Sequence, residues 1–390
     1  MSAHPALADR PIYLDYNGTT PIDPRVVEAM LPYLATTFGN PSSGHAYGAD
    51  ARAGLDLARQ QVADLVHAGS GRIVFTGSGS EADALAIRGA VLAAQGRDGS
   101  RVPAHVITQA TEHPAVLAAC ADVVDLHGVE LTVLPVDGDG RVDPGDVASA
   151  IRDHTVLVTI MHANNETGTV QPIAEIAAVA HARGVLVHCD AAQSIGKLDV
   201  DVDALGVDLL TIVGHKMYAP KGVAALYVRD GVAVRPLIGG GGQEYGLRAG
   251  TENVAYAVAL GHAAALAADA LAAGETQRLT DLRDRLESRL ADALPGRVHL
   301  NGHRTHRLPN TLNVRIDGAP ALALLADLPG LAASAGSACH AGQDTPSPVL
   351  SAMGVPAPEA LTAIRLSLGR WTTADEVDAA ASRVLDAVPR

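Results

Sequence analysis

Aromatic side chains are scarce in this chain: two Phe, one Trp and eight Tyr among 390 residues. Proteins that grip single-stranded nucleic acid stack bases on aromatic rings, so that class of function is disfavoured. Positive charge is also short, with 29 Lys and Arg against 43 Asp and Glu and a formal net charge of -14. Such a chain suits neither a nucleic-acid duplex nor an anionic membrane surface. The 16 His do not reverse the sign at neutral pH. Cysteine is limited to Cys120, Cys189 and Cys339, too few and too scattered for a disulfide framework or a zinc pattern. No metal site is expected, and a reducing, cytoplasmic setting is. The Ala-rich stretch from Val254 to Ala273 is interrupted by His262 and Asp269, so no membrane-spanning segment is expected. The first ten residues lack the charged-then-apolar pattern of a secretion signal.

What the chain does have is apolar content, 48% of its residues, enough to fill a large core in two or three domains. Between Ile73 and Val228, short apolar runs alternate with Ala/Leu-rich stretches. The runs predict strands at Arg72–Phe75, His105–Thr108, Leu131–Pro135, Val156–Ile160, Val185–Cys189, Leu209–Val213 and Ala224–Val228. The stretches between, such as Glu81–Ala94 and Ile173–Ala182, predict helices. This is the signature of an α/β fold with a mostly parallel sheet covered on both faces. The glycine run Gly239 to Gly242 must be a loop. Beyond it, a helical region from Thr251 to about Leu294 pauses near Gly274. Strands at Asn310–Ile316 and Ile364–Ser367 and a helix at Ala374–Ala387 then suggest a smaller α+β domain.

Chemistry concentrates where apolar runs stop. Leu209 to Val213 ends at Gly214-His215-Lys216, and Val185 to Cys189 ends at Asp190. The ends of buried strands are where α/β folds present ligands. A lysine against apolar walls loses hydration, which lowers its pKa and frees the amine to attack a carbonyl. Pyridoxal 5'-phosphate requires such a lysine for its aldehyde and an acid for its ring nitrogen. A lone strand-end lysine, by contrast, ordinarily just reaches solvent.

Five other stretches bear on this pairing. Phe75-Thr76-Gly77-Ser78-Gly79-Ser80-Glu81 leads a strand through small residues into a helix, which suits a phosphate but also an ordinary capped helix start. His113 follows a strand and opens a helix, where an imidazole can cover a ring and move protons, or simply cap. Asn164-Asn165-Glu166 follows a strand and offers hydrogen bonds, or a turn. Cys339 lies in Gly336-Ser337-Ala338-Cys339-His340, a small and polar setting that favours reactivity, unlike the buried patterns around Cys120 and Cys189. Arg365, inside the apolar strand Ile364–Ser367, needs a carboxylate partner from an amino acid or from the protein itself.

Taken in order along nearly the whole chain, these motifs resemble the cysteine desulfurase and selenocysteine lyase family, pyridoxal-phosphate enzymes of fold type I. The resemblance rests on Tyr13-Leu14-Asp15-Tyr16-Asn17-Gly18-Thr19-Thr20-Pro21, Phe38-Gly39-Asn40-Pro41-Ser42-Ser43, Asn164-Asn165-Glu166 and Asp190-Ala191-Ala192-Gln193. It continues in His215-Lys216, Gly240-Gly241-Gly242-Gln243-Glu244, Gly250-Thr251-Glu252-Asn253, Gly336-Ser337-Ala338-Cys339 and Arg365-Leu366-Ser367-Leu368-Gly369-Arg370. It implies a large cofactor-binding domain over residues 18–262. The small domain would comprise residues 1–17 and 263–390 and carry the cysteine loop.

The resemblance also implies roles. Lys216 would bind the cofactor aldehyde and move the Cα proton, Asp190 would hold the ring nitrogen, and His113 would stack on the ring. Gln193 would bond the phenolic oxygen. Gly79, Ser80 and His215 would hold the phosphate, with Thr251 reaching across from the partner of a homodimer. Asn165 and Arg365 would bind the substrate carboxylate. Cys339 would take sulfur as a persulfide, converting L-cysteine to L-alanine, and pass it to a protein that accepts sulfur. The alternatives are a selenocysteine-specific lyase, a pyridoxal-phosphate aminotransferase or lyase acting on another amino acid, and a sulfur-relay or assembly partner acting mainly through protein contacts with residual catalysis. The chain also departs from the family pattern. Its opening reads Asp15-Tyr16-Asn17-Gly18 instead of the commoner Asp-Asn-Ala-Ala, and Val213 stands where desulfurases usually have a phosphate-binding serine.

Overall fold

The computed structural model describes residues 4–95, 103–336 and 345–389. The chain opens with a two-residue strand, β1 (Ile12–Tyr13), followed by helices α1 (Pro24–Ala35) and α2 (Ala46–Leu65). Next comes an alternation of β2 (Arg72–Thr76), α3 (Gly79–Ala94), β3 (His105–Gln109), α4 (Pro114–His127) and β4 (Glu130–Leu134). It continues through α5 (Pro144–Ala150), β5 (Thr155–Thr159), α6 (Ile173–His181), β6 (Leu186–Asp190), the one-turn α7 (Val202–Leu205), β7 (Leu209–Val213) and β8 (Ala224–Val228). Every predicted strand of this region is present, with ends within about a residue of expectation, the usual uncertainty of element ends.

These strands form one seven-stranded sheet in the order β2-β8-β7-β6-β5-β3-β4. The β7-β6-β5-β3-β4 portion is parallel, and β8 runs antiparallel to both of its neighbours. Alternate residues of each strand enter different cores. Ile73, Ile107, Val187 and Ile212 join one core, and Val74, Val106, Leu157 and Leu209 join the other. Both faces are therefore buried, which is why the strands read as unbroken apolar runs and not as alternating ones. Each fully buried Val or Ile contributes ~1.5–3 kcal/mol relative to exposure.

Past the glycine loop, α8 (Val254–Ala272) and α9 (Glu275–Ala293) replace the expected long helical region. The pause is Gly274, at φ 85, a left-handed conformation that favours glycine. The expected division after residue 262 falls inside α8, which is part of the first core as far as Ala267, while the C-terminal core begins at Leu279 of α9. By length and composition α8 would suffice to cross a bilayer, but half of it is buried in this packing. The C-terminal core lies on an antiparallel sheet ordered β12-β10-β9, from β9 (Val298–Leu300), β10 (Thr311–Ile316) and β12 (Ala363–Ser367). A short β11 (Leu331–Ala332) pairs in parallel with β1, so the N-terminal segment joins this second layer and Leu14 is buried in its core. This pairing carries the residues just after β1 across the ends of the large sheet.

Candidate active site

A cavity of about 420 Å³ opens where β6 and β7 end, where α3 and α4 begin, and where β12 approaches them. Nine of the residues singled out in the sequence line it: Gly79, Ser80 and His113; Asn165, Asp190 and Gln193; and His215, Lys216 and Arg365. Thr251 does not. It is exposed, between Gly250 and Glu252, which line a smaller neighbouring cavity that shares Gly222 and Val223 with the first. Cys339 lies outside the described residues.

One end of the cavity is a helix start. Ser78, in extended conformation, caps α3 by accepting the Glu81 amide at 3.1 Å. A Cβ at Gly79 would sit 2.6 Å from a Val213 methyl, so the backbone here is kept bare for close approach. Bare amides at a helix N-terminus, where the peptide dipoles converge, favour an anion. His215 flanks this end, its Nδ1 3.1 Å from the Thr19 hydroxyl. Burial, with Lys216 and Lys221 adding to it, holds the imidazole down at about 4, so it is neutral at pH 7.

The middle is built on strand ends. Asp190 closes β6 and accepts the Ala192 amide at 2.9 Å. Burial pushes its carboxyl up, while His113, that amide and Lys216 pull it back. A second carboxylate, Asp83 on α3, lines the same cavity and is pushed well up, first by burial and then by Asp190. His113 caps α4, its Nδ1 accepting the Ala115 amide at 3.2 Å, and burial lowers its pKa. Gln193 donates to the Asn17 carbonyl at 3.1 Å, and its Oε1 has no partner among the described residues. Lys216 ends a short 3-10 turn after β7, and its Nζ donates to the carbonyls of Asn17 at 2.6 Å and Gly18 at 2.8 Å.

At the far wall, Arg365 on β12 donates from one terminal nitrogen to the Asn165 carbonyl at 3.0 Å. From the other it donates to Asp15 Oδ1 at 2.6 Å, and its Nε has no partner among the described residues. The protein thus supplies an acid for this arginine, one of the two partners its sequence setting allowed. Cys120 and Cys189 are buried as expected, and burial pushes the Cys120 thiol up to about 12.

Three contributors escaped the sequence reading. Asp83 carries a local signal, a carboxylate on an otherwise apolar helix face. Lys197 is buried, donates to the Gln193 carbonyl at 2.8 Å, and is held at about 7 by burial and then by the charge of Lys216. Asn17 stands in the opening motif but was given no role there. Its side chain bonds Asn165, Thr311 and Asn310, and its amide bonds Ser367.

The site fits pyridoxal 5'-phosphate in its polar groups: bare amides for a phosphate, an amine for an aldehyde, an acid for a ring nitrogen, and the amide side chain of Gln193 beside them. Comparison with known proteins points the same way. The model of the aminotransferase class-V family matches residues 12–380. A cysteine desulfurase IscS of Anaeromyxobacter dehalogenans is 47% identical over 371 residues, covering 94% of this chain and 90% of that protein. Among solved structures, a NifS-like protein superposes with a TM-score of 0.87 at 33% identity, covering 96% of this chain and 98% of that one. The structure of SspA in complex with cysteine gives 0.80 at 36% identity, covering 93% and 99%.

Proposed function

The chain belongs to the class-V aminotransferase family, and from that premise we propose that it removes the sulfur of L-cysteine to leave L-alanine, using pyridoxal 5'-phosphate. The observation that carries this reading is the convergence of Lys216, Asp190, His113 and Arg365 on one cavity. When bound, the cofactor supplies a sink for the electron pair left as a Cα proton departs. Gly79, Ser80 and His215 would hold its phosphate. Lys216 would bind its aldehyde and move the Cα proton, Asp190 would hold its ring nitrogen, His113 would cover its ring and Gln193 would reach its phenolic oxygen. Arg365 and Asn165 hold the substrate carboxylate.

Sulfur leaves through Cys339. Its thiolate attacks the substrate sulfur, an S–S bond forms, the C–S bond breaks, and the electron pair passes to the substrate carbon, which takes up a proton. The resulting persulfide is handed to a protein that accepts sulfur. Thr251, exposed away from this cavity, completes the site of a second copy in a homodimer, and a cytoplasmic, reducing setting keeps Cys339 available.

The test is a pair of variants in the holoenzyme. Cys339→Ala should abolish sulfide release from cysteine in the presence of a reductant while the cofactor's visible absorbance still responds to cysteine. Lys216→Ala should remove the absorbance that borohydride bleaches. Full cysteine turnover by the Cys339 variant, or a colourless wild-type protein that the cofactor cannot reconstitute, would sink the reading. L-selenocysteine would meet the same Lys216 and Arg365, and turnover of the two substrates side by side measures the preference.

A further inference from the structure

We propose that Asp15 is a positioning residue for substrate. It fixes the Arg365 guanidinium in the orientation that accepts an amino-acid carboxylate, and Gly18 provides the space in which it does so. This rests on the reading of Arg365 as the carboxylate anchor.

The Arg365 side chain is among the most buried in the protein, yet it borders the cavity. Its two terminal nitrogens are each engaged, one by the Asn165 carbonyl and one by Asp15 Oδ1. Its Nε is itself buried, and a planar guanidinium held at both terminal nitrogens cannot swivel, so the second N–H of each of those nitrogens keeps a fixed direction. Those donors are the ones left for a carboxylate, whose recognition by a guanidinium fork depends on angle as well as charge.

Asp15 is itself anchored to the strand that carries the arginine. Its backbone bridges Ser367 of β12, and its carbonyl accepts the Tyr13 hydroxyl at 3.2 Å. The carboxylate leans over Gly18. A Cβ at position 18 would lie 2.5 Å from Asp15 Oδ2 and 3.0 Å from its Cγ. Alanine, the residue commoner at this place in related openings, would therefore push the carboxylate aside. The departure at Gly18 and the ion pair at Arg365 are two aspects of one arrangement.

The experiment uses the cofactor-loaded enzyme and three single variants. Asp15→Asn takes the charge from the acceptor of the Arg365 bond and Gly18→Ala displaces the acceptor; each should raise KM for L-cysteine about tenfold while kcat stays within about twofold. The double variant should be no worse than either single, because both remove the same contact. The spectral response to cysteamine, which lacks the carboxylate, should be unchanged in each. A KM that stays or falls in Asp15→Asn, or losses that add in the double variant, overturns the proposal. Arg365→Lys separates the two layers. If it leaves KM for cysteine untouched, the carboxylate-anchor reading has failed; if it raises KM and Asp15→Asn does not, only the positioning role has failed.

Discussion

Two arginine–carboxylate pairs tie the N-terminal segment to the stretch that runs from β12 towards the last helix, and they are built differently. In Asp23–Arg370 the side chains are 2% and 5% exposed and 2.7 Å apart. Asp23 also accepts three bonds from Arg25, and the Arg370 guanidinium lies 4.3 Å from the centre of the Tyr218 ring. In Asp15–Arg365 the arginine is 1% exposed but the aspartate is 24% exposed, and the Arg365 Nε is without a partner among the described residues. The separations are nearly equal, so distance does not distinguish them. What differs is the carboxylate and what each pair faces: Asp23 is buried and gathers bonds from two arginines, whereas Asp15 is partly exposed and its arginine borders the cavity. An ion pair buried on both sides holds structure, and removing one member leaves an uncompensated charge. A pair left with spare donors at a cavity wall is suited to a ligand that brings the missing acceptor.

The strongest test of that difference is to delete each arginine and compare unfolding. Arg370→Ala leaves Asp23 buried with only Arg25 and removes the contact with Tyr218, and should cost ~3–5 kcal/mol. Arg365→Ala leaves a carboxylate that water already reaches, so it should cost less than Arg370→Ala, its main effect falling on KM for cysteine. Denaturant midpoints measured on the loaded enzyme decide the matter. If the two midpoints drop equally, the distinction between a structural and a binding pair is wrong.

The acid limb of stability sharpens the same contrast. Burial pushes the Asp23 carboxyl up, but hydrogen bonds from Arg25 and Arg370 outweigh it and hold the group at about 2, below its ordinary 3.8. A carboxyl depressed by folding stabilises the protein above its unfolded pKa and loses that contribution as pH falls through the folded one. Between about pH 4 and pH 2 the wild type should therefore lose roughly 2 kcal/mol through this group alone. Asp23→Asn should be less stable at neutral pH and show a shallower decline over that window. An unchanged slope would mean that the pair does not hold the proton balance assigned to it.

How much of this was legible beforehand follows the range of the contacts. Lys216 and Asp190 stood out because each ends an apolar run, a signal confined to a few residues. His113 and Gly79 sit at strand-to-helix junctions and were visible for the same reason. The parallel sheet was legible too, because burial on both faces leaves continuous apolar runs, but the reversal of β8 was not, since an antiparallel strand buried on both faces has the same pattern. Strands of two or three residues, β1, β9 and β11, are too short to show a period. Arg365 was recognisable as an arginine needing an acid, yet nothing local pointed to Asp15, 350 residues away in the chain. The roles of Asn17 and Lys197 were hidden for the same reason: their partners are brought in by the fold.

The smallest expected effect tests whether the two pairs are independent. Tyr218 follows Lys216 closely, holds a left-handed φ of 65, and accepts the Arg370 amide on its hydroxyl at 2.7 Å. Tyr218→Phe keeps the ring beneath the guanidinium and the same backbone strain, so it removes only that hydrogen bond. Leaving the amide unpaired should cost about 1 kcal/mol, read as a small fall in the denaturant midpoint, with KM for cysteine and the cofactor's absorbance unchanged. A shift in either of those would mean that the Asp23–Arg370 pair acts on the site through the turn that carries Lys216. The structural pair would then also position the lysine, and the line between the two would have to be drawn at Tyr218 itself.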